Sequence, residues 1–206
     1  MIVVGLTGGI ATGKSTVSAI LQEAGAVIID ADQIARKVVK KGQPAYHEIV
    51  KRFGQDILLP DGEINRRLLG AIIFNDPEKK KSLNRIVHPR VSRETQRNLD
   101  RIQADQPDAV VVLDVPLLIE AGMHEGLAEV IVVYAPENVQ LQRLMARDNF
   151  AEADARARIQ AQMPIETKKD LASIVIDNTG ALEKTRQQTL EVYRYLQNKT
   201  VTRKKT

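Results

Sequence analysis

Gly8-Gly9-Ile10-Ala11-Thr12-Gly13-Lys14-Ser15-Thr16 satisfies G-x-x-x-x-G-K-[ST] at every fixed position. Glycines at those places let successive backbone N–H groups turn inward around phosphate oxygens, and the start of a helix adds its positive end. Gly9, Ile10, Ala11, Thr12, Gly13, Lys14, Ser15 and Thr16 are therefore the expected ligands of a nucleoside triphosphate. Lys14 would set a point charge on the β and γ phosphates, and the Ser15 hydroxyl would ligate Mg²⁺. Carboxylates follow two later apolar runs. Ala26-Val27-Ile28-Ile29 leads into Asp30-Ala31-Asp32, and Ala109-Val110-Val111-Val112-Leu113 ends in Asp114. A buried strand ending in Asp is the Walker B arrangement, whose carboxylate approaches Mg²⁺ directly or through water. Either Asp30 or Asp32 can serve as a helix cap. Two carboxylates beside a phosphate site would repel the ligand unless employed, so at least one is expected to act on the acceptor or in catalysis. His88 is open to a structural or a catalytic reading. Asn178 reads equally as a ligand of the adenine edge or as an Asx turn.

Five apolar runs supply the strands that position these groups: residues 2–6, 26–29, 109–114, 130–134 and 174–176. Continuous rather than alternating apolar residues suit parallel strands covered on both faces, and ligands bind such sheets beyond the carboxyl ends of the strands. Val17, Ile20, Leu21 and Ala24 repeat at helical spacing behind the glycine-rich loop, with Gly25 as a stop. Residues 40–106 change to mostly helical patterning, too long for a simple crossover, and read as an inserted lobe. Within it, Leu68, Leu69, Ile72 and Ile73 mark one helical face, Asp76-Pro77 a helix start, and His88-Pro89 an interruption. From Arg143 the chain is rich in basic residues: Arg143, Arg147, Arg156, Arg158, Lys168 and Lys169. Most of them read as solvated helix faces. A lid over a phosphoryl-transfer site needs one or two arginines that stabilise transition-state charge, and Arg147 at its helix end is the first choice. Arg143 is assigned to the acceptor side.

The chain of 206 residues is long enough for one sizeable core with inserted lobes. No apolar run approaches the roughly 18 residues of a membrane span. No basic n-region or cleavage site marks a secretory signal, and the absence of Cys excludes disulfides and thiolate metal sites. A cytoplasmic protein is expected. The net charge of +4 points to an anionic partner. With only three Phe and four Tyr among dispersed basic residues there is no aromatic platform for nucleic acid. A triphosphate and its arginines account for the excess, and neither nucleic acid nor membrane is expected as a partner.

Neither late strand runs directly into [NT]-K-x-D (the one match, Thr167-Lys168-Lys169-Asp170, lies before residues 174–176), which argues against a switch GTPase, and a motor or transporter ATPase would be larger or carry a coupling domain. A small core with a helical insert and an Arg-rich lid suits a small-molecule kinase, in which the insert holds the acceptor and the lid excludes water. A nucleoside monophosphate kinase is the alternative enzyme, and a non-kinase ATP-binding protein the alternative class. The expected fold is α/β: a P-loop NTPase core, three-layer α/β/α with a five-stranded parallel sheet, a helical acceptor-binding insert and a small helical lid. The expected boundaries are 1–39 with 107–140 and 171–200 for the core, 40–106 for the insert, 141–170 for the lid and 201–206 for a flexible basic tail.

Leu6-Thr7-Gly8-Gly9-Ile10, Asp30-Ala31-Asp32, Gly42-Gln43-Pro44-Ala45, His88-Pro89, Asp114-Val115-Pro116-Leu117-Leu118 with Glu120, Arg147-Asp148 and Val175-Ile176-Asp177-Asn178 occur in that order. From about residue 3 to residue 182 the sequence thereby resembles the dephospho-CoA kinase family. The resemblance implies transfer of the ATP γ-phosphate to the ribose 3′-hydroxyl of dephospho-CoA, giving CoA and ADP. It implies Asp32 as base or hydroxyl-orienting carboxylate, the Asp30, His88 and Leu117 segments on the acceptor side, and Arg147 in the lid. Ala11-Thr12 departs from the Gly-Ser common in the family, at positions outside the fixed glycines.

Overall fold

The computed structural model describes residues 1–74 and 76–202; Asn75 and residues 203–206, which include most of the expected tail, lie outside the described residues. The chain opens with β1 (Ile2–Gly8), α1 (Lys14–Glu23) and β2 (Val27–Asp30). Four helices follow: α2 (Ala31–Val38), α3 (Pro44–Phe53), α4 (Arg66–Phe74) and α5 (Pro77–Asp105). Then come β3 (Val110–Asp114), β4 (Val130–Tyr134), α6 (Glu137–Asp148), α7 (Glu152–Gln160), α8 (Ile165–Asp170), β5 (Ile174–Asp177) and α9 (Leu182–Thr202). The strands form one sheet in the order β2-β3-β1-β4-β5. They fall on the five apolar runs, and the fold is the α/β class expected from them. Two compact units divide the chain: Met1–Ile29 with Ile102–Thr206, and Asp30–Arg101.

In the first unit β1 is central, parallel to β3 with Leu6 opposite Asp114 and parallel to β4 with Thr7 opposite Val132. Ile2, Val4, Val112, Ile131 and Val133 of the sheet pack with Val17 and Leu21 of α1 and Leu196 of α9. Burying each such side chain contributes about 1.5–3 kcal/mol, so the strands that end at the glycine-rich loop are the best-anchored part of this unit. Leu141 and Leu144 of α6 and Ala155 of α7 are buried in a smaller cluster, against which Ile10 and Ala11 of the loop pack. The loop thus has side chains of the expected lid against it.

Tyr46, Ile49, Ile57, Ile64 and Leu69 form the core of the second unit. Ile72 and Ile73 pack on it with Leu69, as the helical spacing predicts, but Leu68 is 40% exposed. Asp76 accepts the Lys79 N–H at 3.0 Å and caps α5. His88-Pro89 does not interrupt that helix: α5 continues through Pro89 for 29 residues. Proline removes one N–H and crowds the preceding turn. The carbonyl that loses its helical donor to Pro89 is that of Arg85; the Arg90 guanidinium, held by Glu48 at 2.6 Å, donates to the next one, the Ile86 carbonyl, at 2.6 Å. No described helix is long and apolar enough to cross a membrane.

Candidate active site

Helix α1 begins at Lys14 without a side-chain cap and without an acidic residue in its first turn. The first N–H groups of a helix need an acceptor, and an anion supplies one. Gly13, its N-cap, sits at φ 90°, ψ 23°, a left-handed conformation that costs a residue with a Cβ roughly 1–2 kcal/mol. A Cβ there would also overlap the Asn178 amide. A cavity of about 640 Å³ opens over the loop, lined by Gly9, Ile10, Ala11, Gly13, Lys14 and Ser15, and by Pro116, Arg143, Arg147 and Gln162. Ser15 is exposed toward solvent, whereas Thr12 is fully buried and its hydroxyl donates to the Gly9 carbonyl at 2.9 Å. Thr12 therefore shapes the turn with its side chain. The Thr16 N–H is engaged by the Gly13 carbonyl at 3.0 Å.

Lys14 is ion-paired with Asp114, which is 5% exposed at the end of β3. The pair places a cation and a carboxylate beside the start of α1, and Ser15 follows Lys14 directly. Two protein oxygens, Ser15 Oγ and the Asp114 carboxylate, suit Mg²⁺, which keeps several waters and takes its other ligands from substrate phosphates. Among the described residues no group of three or more His, Asp or Glu could hold a metal ion by itself.

Arg143 and Arg147 lie one helical turn apart on α6, and both line the cavity. Arg147 donates from Nε and Nη2 to the two carboxylate oxygens of Asp148, both at 2.8 Å. That fork raises the Arg147 pKa and lowers that of Asp148. Arg143 has a buried Nη1 with no hydrogen-bond partner among the described residues. A buried guanidinium N–H left unpaired is costly, and at a phosphate-sized cavity it is a donor awaiting an anion. Arg143, expected on the acceptor side, is thus found at the loop.

Asn178 follows β5, but its side-chain amide is spent within the protein. Nδ2 donates to the Thr12 carbonyl at 2.7 Å, and Oδ1 accepts the Thr185 hydroxyl at 2.7 Å. At 8% exposure, with both ends of the amide engaged by the protein, its observed contacts are those of a brace beneath the loop. Leu117, in the turn after β3, is 47% exposed.

In the second unit the two carboxylates separate. Asp30 caps α2, accepting the Gln33 N–H at 2.9 Å and its Nε2 at 3.1 Å. Asp32, in the first turn, is exposed, with no hydrogen bond or ion pair among the described residues, and borders a cavity of about 400 Å³. His88 is exposed on α5, beside Lys80, Lys81 and Arg85 in a shallow hollow separate from that of Asp32.

Three participants have no role assigned from sequence. Gln162 accepts the Ile10 N–H at 2.9 Å, so one donor of the loop is engaged by the expected lid. The Pro116 carbonyl, beside the loop, accepts Thr7 Oγ1 at 2.9 Å and Lys168 Nζ at 3.2 Å. Lys168 is fully buried and paired with Glu120 at 2.7 Å, although its neighbourhood of charges reads as a solvated face. Only tertiary packing distinguishes it from exposed Lys169.

The profile of the family described as CoaE, dephospho-CoA kinase, matches residues 2–184. A dephospho-CoA kinase of Carboxydothermus hydrogenoformans is 51% identical over 190 residues, 92% of each chain. Among solved structures, TT1252 from Thermus thermophilus superposes with a TM-score of 0.81 at 34% identity, covering 94% of this chain and 96% of that one. The dephospho-CoA kinase from Campylobacter jejuni gives 0.72 at 31% identity, covering 95% and 97%. With the loop, the Lys14–Asp114 pair and the sheet accounted for by one family over nearly the whole described length, the chain belongs to the dephospho-CoA kinases.

Proposed function

We propose that the protein transfers the γ-phosphate of ATP to the ribose 3′-hydroxyl of dephospho-CoA, with Lys14, Arg147 and Asp32 as its catalytic residues. The observation that carries the donor half is the uncapped start of α1 beneath a cavity holding Lys14, Arg143 and Arg147. Family membership carries the acceptor. Gly9, Ile10, Ala11, Gly13, Lys14 and Ser15 bind the triphosphate, and Lys14 exchanges its contact with Asp114 for the β and γ oxygens. Ser15 and Asp114 are the residues that would hold Mg²⁺. When bound, the ion neutralises charge on the β,γ oxygens.

Asp32 orients the 3′-hydroxyl. The oxygen forms a bond to the γ-phosphorus as the bridging bond to the β-phosphate breaks, ADP leaves, and the hydroxyl proton passes to Asp32. A loose transition state asks little of the base beyond position, so the proton moves late. Arg143 and Arg147 stabilise charge on the transferring group, which is worth more where water is excluded. The acceptor side comprises Asp30, which fixes α2, together with His88 and Leu117. The absence of Cys suits a reducing compartment, and we place the reaction in the cytoplasm.

Offering ATP with dephospho-CoA, AMP, CMP or pantetheine in separate reactions tests the acceptor. Phosphate should appear only on dephospho-CoA, at its 3′-oxygen; transfer to AMP or CMP in its place would overturn the reading. Asp32→Asn should lower turnover by orders of magnitude while ATP binding persists, and near-normal turnover would remove Asp32 from the chemistry.

A further inference from the structure

Gln162 lies between α7 and α8 and lines the cavity of about 640 Å³ over the glycine-rich loop, together with Lys14, Arg143 and Arg147. One end of its side chain is already fixed. The Ile10 N–H can be met only by the carbonyl end of the amide, so the 2.9 Å contact with Oε1 leaves the NH2 group as the free end. Among the described residues Nε2 donates to nothing, and it is not sealed from solvent. Arg143 Nη1 also has no partner among the described residues, and Arg143 lines the same cavity. Two unspent donors, one neutral and one charged, thus belong to the walls of the triphosphate site.

The backbone that carries Gln162 is anchored as well. The Met163 N–H donates to Glu120 Oε1 at 3.3 Å, and the same oxygen accepts Lys168 Nζ at 2.7 Å. Lys168 is fully buried and also reaches the Pro116 carbonyl at 3.2 Å, and Pro116 is a further wall of the cavity. Gln162 is therefore tied to the loop through its side chain and to the turn after β3 through the next peptide. A donor held in this way is pre-organised, and it costs little reorganisation when charge develops beside it.

We infer that Gln162 is a further catalytic residue: its amide keeps the Ile10 N–H through Oε1 and donates from Nε2 to an oxygen of the phosphoryl group in transfer. The inference rests on the proposed kinase reading, with Lys14, Arg143 and Arg147 as the cations of the site. In the transition state negative charge is spread over three equatorial oxygens, with the entering and leaving oxygens in line. The three cations neutralise that charge, but they also bind ATP and ADP in the ground state. A fixed donor accelerates transfer only where it meets the transition state better than it meets ATP. A neutral amide adds such a contact without a further cation to retain ADP. Ile10 then acts on the triphosphate through the glutamine, while the N–H groups that follow it in the loop meet the phosphates directly.

Initial rates with ATP and dephospho-CoA, thermal melts, and titrations with ATP and with ADP plus magnesium and aluminium fluoride test this on the full chain. Gln162→Ala should lower kcat about hundredfold, the low end for one lost transition-state donor. Both KM values should stay within about threefold, because the contact is made in the transition state. Affinity for the aluminium fluoride complex, which mimics the phosphoryl group in transfer, should fall with kcat while ATP affinity holds. Gln162→Glu keeps the side-chain length and an acceptor for the Ile10 N–H. It should melt within about 4 °C of wild type and transfer at least as slowly as Gln162→Ala, because only the donor has been exchanged for a negative charge. A wild-type protein that leaves dephospho-CoA unphosphorylated refutes the kinase reading itself. With an active wild type, a Gln162→Ala kcat within about threefold refutes the catalytic amide alone. Tighter ATP binding by that variant refutes it too, because the glutamine then occupies a phosphate position. Equal losses for ATP and for the aluminium fluoride complex, or a Gln162→Glu chain that either transfers normally or fails to fold, would reduce Gln162 to a tie of the loop.

Discussion

Replacing Asn178 by alanine separates a brace from a base-reading residue, because the two roles predict opposite results. The side chain makes two buried hydrogen bonds, to the Thr12 carbonyl and from the Thr185 hydroxyl, each at 2.7 Å. Both partners are fully buried, and Thr185 lies in α9, where its carbonyl accepts the Thr189 hydroxyl at 2.7 Å. Losing two neutral bonds at about 0.5–1.5 kcal/mol each costs about 1–3 kcal/mol, and more if no water replaces them. In a chain of this size each kcal/mol shifts the melting temperature by roughly 2–4 °C, so a fall of about 2–12 °C is expected. The Thr12 bond also holds the loop in the shape that cradles phosphate. If that bond is worth about 1.4 kcal/mol to the loop's shape, ATP affinity falls up to about tenfold. Thr185→Val should cost about 1 kcal/mol, and the double variant should lose less than the sum, with a coupling of at least about 0.5 kcal/mol. Thermal melts and ATP titrations on Asn178→Ala, Thr185→Val and the double variant make the comparison, with GTP as the control nucleotide. An unchanged melting temperature with a relaxed preference for ATP over GTP would refute the brace and return Asn178 to the adenine edge.

Two further outcomes follow from buried charge. Lys168→Met leaves Glu120 facing an apolar chain and frees the Pro116 carbonyl. Breaking a buried pair in this way typically costs about 3–5 kcal/mol; Glu120 is 22% exposed and recovers part of it from water, so about 2–4 kcal/mol is expected. A loss below about 1 kcal/mol in urea denaturation would show that the pair is not a structural tie. Burial raises the Glu129 carboxyl, but hydrogen bonds from Lys199 and Tyr195 outweigh it and hold the pKa below the ordinary glutamate range. A depressed carboxyl contributes stability above its unfolded pKa and loses it as pH falls through the folded one. Wild type should therefore melt above Glu129→Gln at neutral pH, with the gap closing below about pH 4; a gap independent of pH would exclude the carboxylate as its source.

Groups whose role depends on neighbours along the chain are legible in the amino-acid sequence itself. The glycine-rich loop needs its spacing, the strands need continuous β-branched runs, and Asp114 needs to end one of them; all three requirements are local, and all three appear in the chain. Residues of one type with different tertiary partners are not separable in this way. Asp30 and Asp32 are two residues apart and chemically alike, yet one is consumed as the cap of α2 and the other has no partner among the described residues. Lys168 and Lys169 are adjacent, and one is fully buried while the other is exposed. Arg143 and Arg147 share a helix face, but Asp148 occupies only Arg147. Pro89 reads as a break, yet α5 runs through it from Pro77 to Asp105.

Ala11 shows how the two levels combine. Its departure from the family's usual glycine is visible in sequence, whereas its backbone at φ 59° is not. Alanine in that left-handed conformation costs on the order of 1 kcal/mol, yet the same methyl-bearing residue packs with Ile10 against Leu141, Leu144 and Ala155 of the expected lid. The loop therefore trades backbone strain for contact with α6 and α7, the helix pair that carries Arg143 and Arg147 and leads into Gln162. Because Gln162 already engages the Ile10 N–H, a phosphate that takes that donor must displace the glutamine.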